Sequence, residues 1–427
     1  MNIVRNGLLF VLAFAVFAFG AVEVWSISAV EILAAILFLV WTLSVFRDSE
    51  IKITLNPLLY PLLGFMAIGG AQLLLHRSEY PYLTRVNLLL LAAYAILFFL
   101  TTQAFRGRRD LARLAWFLSV LCFAVSLFGI AQHFTSENTI YWFRKLAVGG
   151  AVFGPYVNRN HYAGFVELTL PFPLALMIFR GMRRDVFPLA TLFSVIPIGG
   201  LILSGSRAGV IGFIFELAVL GLLSRSRKTR SGKASIAVGI VVLAGLALVA
   251  WLGAGKIIER FSVLRPGEVS IARRLSMDEG GLHLFRAYPV SGSGLGTLIA
   301  VYPKFETYYD GHLVDHVHND YIELLAELGI IGGLCGLAFL FILFRDARRS
   351  YEAEQGHFSR AIHAAAIAGI AGLLLHSLVD FNLHIPANAI LFLVLCALAT
   401  SDPLPSESQM PRAPRRRRRI EEEPVEP

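Results

Sequence analysis

The segment DHVHNDYIELLAELGIIGGLCGLAFLFILF, residues 315–344, begins with a cluster of titratable side chains and continues as a long apolar run. About twenty apolar residues in succession are typical of a helix that crosses a bilayer, because each residue advances about 1.5 Å through roughly 30 Å of hydrocarbon. Histidine readily takes up and releases a proton near neutral pH. The segment therefore predicts a membrane helix with proton-transfer chemistry at its first turn.

Apolar runs of this kind recur along the chain of 427 residues, of which 56% are hydrophobic and 16% are charged. About twelve runs are long enough, or nearly so, to cross a bilayer, and they are continuous rather than alternating with period two. We therefore expect an all-α polytopic membrane protein. The runs lie near residues 7–25, 27–46, 55–75, 84–105, 111–134, 162–180, 186–204, 207–224, 234–253, 325–344, 361–379 and 386–400.

Lysine and arginine are unevenly divided between alternate connections. Most of the 38 fall in short connections that would share one side of the membrane with Arg5 and the run Arg415–Arg419. Basic residues that flank membrane helices favour the cytoplasmic side, so both termini are predicted to be cytoplasmic. The same assignment puts the loops at about 135–161 and 254–324 and the short turn Ser204–Arg207 on the outer side.

Four parts follow from this pattern. Residues 1–253 hold membrane helices one to nine, 254–324 form the outer loop, 325–401 hold helices ten to twelve, and 402–427 form a tail. The tail is rich in proline, serine, arginine and glutamate, a composition typical of disorder. Its arginine run is predicted to lie against anionic membrane lipids, and no nucleic-acid partner is expected.

The three cysteines, Cys122, Cys335 and Cys396, all fall within predicted membrane helices. Their positions indicate no disulfide framework, and no CxxC or Cys/His spacing predicts a metal site. We interpret them as small buried side chains. The sequence predicts neither a metal nor a cofactor.

Two polar segments lie on the predicted outer side before the long loop. Arg207 follows the turn at the start of the eighth run, where an arginine usually has an anionic partner, although it could also simply reach to the interface and mark the helix end. Asn158, Asn160 and His161 can hydrogen-bond hydroxyl groups or phosphate oxygens. They could equally cap the helix that begins there.

The long outer loop carries Arg273 and Arg274, followed by the glycine-rich stretch AYPVSGSGLG at 287–296. A lone GxGxG pattern is weak evidence, and without a βαβ context it predicts no dinucleotide site. The alternative is an ordinary glycine-rich turn. Asp380, between the last two apolar runs, is either a partner for an arginine or a plain helix-end carboxylate.

His318, Asn319 and Asp320 open the helix of the first-quoted segment, and Glu323 and Glu327 follow one turn apart on a common face. Carboxylates near a helix N-terminus interact favourably with the helix dipole, so the two glutamates have a plausible structural role. A functional role for His318 is favoured because two other polar segments are predicted on the same side of the membrane.

In order, these segments resemble the O-antigen ligase and polysaccharide polymerase superfamily of bacterial envelope glycosyltransferases. The family pattern is an SRxG-like turn, a loop arginine about fifteen residues before P-x-x-G-x-G, and then H-[NSQ], nine residues and G-x-x-G. The matching segments here are Ser206-Arg-Ala-Gly209, Arg274 with Pro289-Val-Ser-Gly-Ser-Gly294, and His318-Asn319 with Gly329-Ile-Ile-Gly332.

The resemblance implies a GT-C-like fold in the bacterial inner membrane, with a large periplasmic loop that carries short helices. It implies transfer of a glycan from undecaprenyl diphosphate to an acceptor sugar of lipid A-core, with inversion and without a metal. In that scheme His318 is the catalytic base, and Arg207 and Arg274 hold the leaving diphosphate. The expected substrate-binding residues are Asn158, Asn160, His161, Arg273, Asn319 and Asp380.

Two departures and two alternatives accompany this interpretation. Met277 stands where the family usually has an aromatic residue, and the pair Arg273-Arg274 leaves the register of the loop arginine open by one residue. A polymerase that extends a growing glycan on its lipid carrier would share the same motifs. A glycolipid transporter would instead place charged residues or paired broken helices near the bundle midplane, where these runs carry few charges.

Overall fold

A computed structural model of the protein describes residues 1–47, 53–136, 138–145, 151–225, 271–309 and 311–403, together with positions 239, 243 and 247. Within the continuous ranges the chain forms fourteen α-helices and no β-strand, which confirms the predicted all-α class. They are α1 (Asn2–Phe17), α2 (Val24–Arg47), α3 (Leu59–Leu74), α4 (Pro81–Ala104), α5 (Arg108–Thr135), α6 (Arg159–Thr169), α7 (Pro171–Ile178), α8 (Phe187–Ser204), α9 (Arg207–Arg225), α10 (Ile271–Ala287), α11 (Leu298–Val301), α12 (Asp320–Ala353), α13 (His357–His376) and α14 (Pro386–Ala399).

The helices follow the apolar runs of the sequence. In the described ranges, eight helical segments are long and apolar enough to cross a membrane, and α1, α3 and α14 are shorter apolar helices. Helices α6 and α7 together make one such segment, Arg159–Ile178. They are divided at Leu170 because Pro171 lacks the N–H that a continuous helix would use there. Apart from positions 239, 243 and 247, the predicted run 234–253 lies outside the described residues.

The bundle has a buried centre and an apolar exterior. Of the apolar window in Arg159–Ile178, 94% is buried inside the protein, compared with 22% for α2. Every residue of α14 is buried as well. Small residues let these central helices approach closely: a Cβ on Gly369 of α13 would lie 2.9 Å from the carbonyl oxygen of Glu167 in α6. The outward-facing apolar side chains are those expected against lipid.

Helix α12 is broken near its start, and the break receives the glycine-rich turn. Gly329 has a φ of 63° inside α12, a backbone conformation that favours glycine. A Cβ there would lie 2.3 Å from the carbonyl oxygen of Val290, and a Cβ on Gly292 would lie 2.1 Å from that of Glu327. Both glycines are therefore required by the close approach of two backbones.

Backbone hydrogen bonds hold the turn in this break. Ser293 N donates to Ala326 O at 3.0 Å, and Ile330 N donates to Pro289 O at 2.9 Å. The Glu327 carboxylate accepts from Gly296 N at 2.7 Å and from Leu298 N at 2.9 Å. The glycine-rich stretch is thus a docking element that fixes the outer loop on α12. Helix α12 begins at Asp320, inside the segment that the sequence assigned to the outer loop.

Candidate active site

The connection between α13 and α14 places a buried carboxylate at one end of the bundle. Asp380 is fully buried, with 0% of its surface exposed. Asn160 Nδ2 donates to its Oδ2 at 2.6 Å, and Phe381 N donates to its Oδ1 at 3.0 Å. The N-terminus of α6 and the end of α13 therefore meet at this side chain, which lies 220 residues from Asn160 along the chain.

Two histidines approach the same carboxylate. His318 Nδ1 lies 3.3 Å from Asp380 Oδ1, and His161 Nε2 lies 3.7 Å from that oxygen. The Phe381 ring packs edge-on against both imidazoles, with centroid separations of 5.0 and 4.8 Å. Within the described residues, both ring nitrogens of His161 and Nδ1 of His318 are buried without a hydrogen bond of ordinary geometry, so the contact of these two rings with Asp380 is electrostatic.

The surroundings of Asp380 favour its charged form. Burial alone would raise the pKa of the Asp380 carboxyl. The imidazoles of His318 and His161 lower this pKa by more than burial raises it, so that it falls well below its usual range. A permanently charged acceptor at this position can orient a histidine by accepting from one ring nitrogen, which leaves the other nitrogen for chemistry.

The two loop arginines separate in the structure. Arg274 NH2 lies 3.5 Å from Asp380 Oδ2, and its NH1 donates to Val379 O. Arg273 instead donates to Glu306 Oε1 at 2.9 Å and to Tyr308 O, and only 7% of it is exposed. Arg274 is therefore the arginine that contacts the Asp380 cluster, whereas Arg273 contacts other residues of the outer loop.

The Met277 position is part of a small core. Its side chain is buried with Leu284, Tyr302 and Val317 beneath the outer loop, away from the bundle's main core. An aromatic residue at this position would likewise pack under the loop. The departure from the family pattern thus affects a packing contact between α10 and the residues before α12.

Arg207 is the first residue of α9, and its side chain is exposed. Two residues later, a Cβ on Gly209 would lie 2.5 Å from the Cβ of Ala163. Ala163 in turn follows His161 by two residues on α6. The start of α9 is thus packed against the start of α6, so that Arg207 lies at the same end of the bundle as the Asp380 cluster.

Two of the predicted polar residues act as helix caps. The Asn158 side chain accepts from Asn160 N at 2.8 Å at the start of α6. The Asn319 side chain accepts from Tyr321 N at 3.1 Å at the start of α12. Asparagine is a preferred N-cap because its side-chain oxygen satisfies backbone N–H groups that the helix leaves open. These caps fix the first turns that carry His161 and the residues after His318.

Asp278 is a neighbour of the cluster that the sequence did not single out. It follows Arg274 by four residues on α10, so that both side chains lie on one helix face. Burial raises the pKa of Asp278, whereas His318, Asn319 and Arg274 lower it, and the net direction is upward. The i, i+4 spacing of Arg274 and Asp278 indicates a shared face only where the chain is helical, and the sequence had not assigned a helix to this part of the loop.

A second group of residues that the sequence did not single out lies deeper in the bundle. His376 Nδ1 on α13 is 3.0 Å from Glu167 Oε2 on α6, and both side chains are fully buried. Glu216 on α9 is also buried, and a Cβ on Gly372 would lie 2.3 Å from its Oε1. The signal in the sequence was a single acidic residue in each of two apolar runs. Ionisable residues inside membrane helices usually pair or serve a function.

A charged, buried cluster at one end of a bundle of apolar helices defines a polytopic membrane protein with a polar site at one face. Residues 192–337 match the family model described as O-antigen ligase, a range that includes Arg207, Arg274 and His318. This match supports the O-antigen ligase and polymerase superfamily, a family that implies a glycosyltransferase-like enzyme. No curated protein matches the chain.

Proposed function

We propose that the protein transfers a glycan from undecaprenyl diphosphate to an acceptor sugar of lipid A-core, at the periplasmic face of the bacterial inner membrane. The observation that carries the proposal is the convergence of His318 and Arg274 on the buried carboxylate of Asp380. A histidine and an arginine in one cluster are suited to deprotonate a hydroxyl group and to bind a diphosphate.

The proton transfer rests on His318. Because Nδ1 is the nitrogen that lies 3.3 Å from Asp380, we assign Nε2 as the nitrogen that accepts the proton of the acceptor hydroxyl. The acceptor oxygen then forms a bond to the anomeric carbon as the bond from that carbon to the diphosphate oxygen breaks. The electron pair leaves with the diphosphate, and the proton remains on His318. A single displacement of this kind inverts the anomeric configuration.

The leaving diphosphate needs positive charge. Arg274 and Arg207 supply guanidinium groups that bind phosphate oxygens through charge-assisted hydrogen bonds. Both are supported by geometry: Arg274 is anchored at Val379 and Asp380, and Arg207 begins α9, whose N-terminus carries the positive end of its dipole. Because the diphosphate is already a good leaving group, the transfer step needs neither a general acid nor Mg²⁺.

The sidedness of the proposal rests on charge. Helix α12 begins at Asp320, at the same end of the bundle as the Asp380 cluster, and ends at Ala353. Arg345, Arg348 and Arg349 lie in its last third. Arg360 lies at the start of α13, again at the end of the bundle away from Asp380. Basic connections of this kind favour the cytoplasm, so the Asp380 cluster is on the periplasmic side. Nucleotide sugars are absent there, which favours a lipid-linked donor.

Transfer by purified variants tests the proposal. His318→Ala and Arg274→Ala should lower turnover of a lipid-linked donor by at least about 100-fold, as expected when a base or a charge-stabilising group is removed. His312→Ala and Arg286→Ala are matched controls, because both residues are exposed and belong to the same loop and the same helix. Near-normal turnover of His318→Ala would refute the assignment, as would a requirement for added Mg²⁺.

A polymerase reading shares this donor chemistry, and a deletion strain separates the two. If the protein is a ligase, the strain accumulates long glycan on the lipid carrier while lipid A-core stays bare. If it is a polymerase, lipid A-core carries single repeat units instead. The family match supports a ligase-type and a polymerase-type function alike.

A further inference from the structure

A second cluster of side chains lies beside the Asp380 cluster and contains none of the residues assigned to the reacting groups. It consists of His316, Glu323 and His384, whose ligand atoms all lie within 4.8 Å of one another. His316 Nδ1 is 2.6 Å from Glu323 Oε1, and His384 Nε2 is 3.2 Å from the same oxygen. The three residues come from the loop before α12, from the first turn of α12 and from the turn before α14.

A neighbouring carboxylate fixes the orientation of one imidazole. Asp320 Oδ1 lies 2.8 Å from His384 Nδ1, and its Oδ2 accepts from Leu383 N at 3.2 Å. When His384 donates its Nδ1 proton to Asp320, the neutral ring presents the lone pair of Nε2 to Glu323. A carboxylate that orients a histidine in this way is a common second partner of metal-binding imidazoles.

The 3.2 Å between His384 Nε2 and Glu323 Oε1 is spanned by a hydrogen bond when the ring is doubly protonated, and a metal ion can take the place of that proton when the ring is neutral. Glu323 Oε2 is buried and has no hydrogen-bond partner among the described residues. A buried carboxylate that faces two imidazoles and has one oxygen without a hydrogen bond provides the ligand atoms of a metal site.

We propose that His316, Glu323 and His384 bind one zinc-class divalent metal ion. Two imidazoles and one carboxylate form a ligand set that zinc uses with a fourth position left open. Magnesium and calcium prefer oxygen ligands throughout, and they fit this set poorly. The histidine side chains are 30% and 29% exposed, whereas Glu323 is only 1% exposed, so a fourth ligand can enter from solvent.

Two of the three separations between the ligand atoms lie within about 1 Å of the value expected for such an ion, and the third is at most 4.8 Å. Four-coordinate zinc with bonds of about 2.1 Å separates its ligand atoms by roughly 3.4 Å. The 3.2 Å between His384 Nε2 and Glu323 Oε1 is already close to that value. The 2.6 Å between His316 Nδ1 and the same oxygen would have to open by less than about 1 Å, which a rotation of the partly exposed His316 ring provides.

The ion would fasten two segments of the proposed active site without contacting the reacting atoms. His316 precedes His318 by two residues, and its ring stacks on Phe381 at a centroid distance of 4.7 Å. Phe381 in turn contacts the His318 ring. The site therefore ties the loop that carries His318 to the turn that carries Asp380. Its ligands are positioning residues for the transfer.

Metal binding to the full-length protein, purified without a histidine tag, tests this proposal. After treatment with a chelator and dialysis against Zn²⁺, wild type and His312→Ala should each retain one ion per chain by mass spectrometry of metals. His384→Gln and His316→Gln should retain much less. Co²⁺ should give the visible absorption of a four-coordinate site in wild type only. Asp320→Asn should bind Zn²⁺ about 10- to 100-fold more weakly, as for other orienting carboxylates.

Thermal unfolding distinguishes loss of the ion from loss of the fold. Zn²⁺ should raise the midpoint of wild type and of His312→Ala, because a ligand that binds only the folded state stabilises it, and should leave His384→Gln unchanged. Equal Zn²⁺ retention by wild type and His384→Gln would overturn the proposal, as would equal loss in His312→Ala. Both readouts are independent of glycan transfer, so a failed transfer assay leaves the metal site standing, and the reverse also holds.

Discussion

Replacement of Asp380 by asparagine is the most informative single perturbation of the Asp380 cluster. Asparagine has nearly the same size, but one carboxylate oxygen becomes an NH2 group. In the native protein both oxygens face donors: Oδ2 receives Asn160 at 2.6 Å and Oδ1 receives the backbone N–H of Phe381 at 3.0 Å. In either amide orientation the new NH2 group therefore faces a donor.

The size of the effect follows from these contacts. A hydrogen bond to a charged acceptor contributes about 1.5–3 kcal/mol, and a buried donor left unpaired costs about 1–3 kcal/mol. The Arg274 side chain is 24% exposed, so its contact with Asp380 adds at most about 1 kcal/mol. A total loss of about 3 kcal/mol is expected, and if it is expressed in the transition state, turnover falls roughly 100-fold.

The assay is steady-state transfer by purified Asp380→Asn protein, with kcat and KM measured separately and thermal unfolding recorded in parallel. Because Asp380 orients His318, the loss should appear mainly in kcat. Asp185→Asn is the matched control, since Asp185 is 61% exposed and pairs only with Arg183 among the contacts described for it. A kcat within threefold of wild type, with an unchanged unfolding midpoint, would refute the role given to Asp380.

Three further predictions concern the docking turn and the carboxylates. Gly292→Ala should abolish folded, monodisperse protein in size-exclusion chromatography, since its Cβ would lie 2.1 Å from the Glu327 carbonyl; Gly311→Ala, where nothing lies within 4 Å, should cost only about 1–2 kcal/mol and remain folded. Asp278→Asn should raise the unfolding midpoint at pH 7, because burial raises the pKa of Asp278 and penalises its charge; a lower midpoint would contradict this reasoning. The pKa of Asp380 lies well below its usual range in the folded protein, so the stability it adds is present above about pH 4 and is lost as the pH falls towards the folded value. Acid titration of unfolding should therefore be steeper for wild type than for Asp380→Asn.

The membrane helices could be predicted because their signal is local. Uninterrupted apolar runs marked the positions of α2, α4, α5 and α9 to within a few residues of their observed bounds. The break in α12 was not predicted, because residues 328–344 form an apolar and glycine-containing run that continues through Gly329 without interruption. Only the close approach of the Val290 carbonyl explains why a glycine in this run leaves the helical conformation.

The sequence predicted individual residues of the candidate site but not which of them contact one another. The resemblance singled out His318 and Arg274, whereas their common partner Asp380 was only one of two readings for a helix-end carboxylate. The register of the arginine pair had to come from the fold, since only Arg274 faces the bundle. The cluster around His384 had no sequence signal, because its histidines are 68 residues apart and share no spacing rule.

The mode of attachment of the outer loop has a consequence for how such proteins diversify. The loop is held to α12 by main-chain atoms of the glycine-rich turn and by a glutamate that accepts main-chain N–H groups. Main-chain contacts do not depend on side-chain identity. The rest of the loop can therefore be exchanged, provided that Gly292, Gly329 and Glu327 are kept for docking and Arg274 and His318 for the proposed site. Grafting a loop from another protein that matches the same family model onto this scaffold is a route to altered substrate choice.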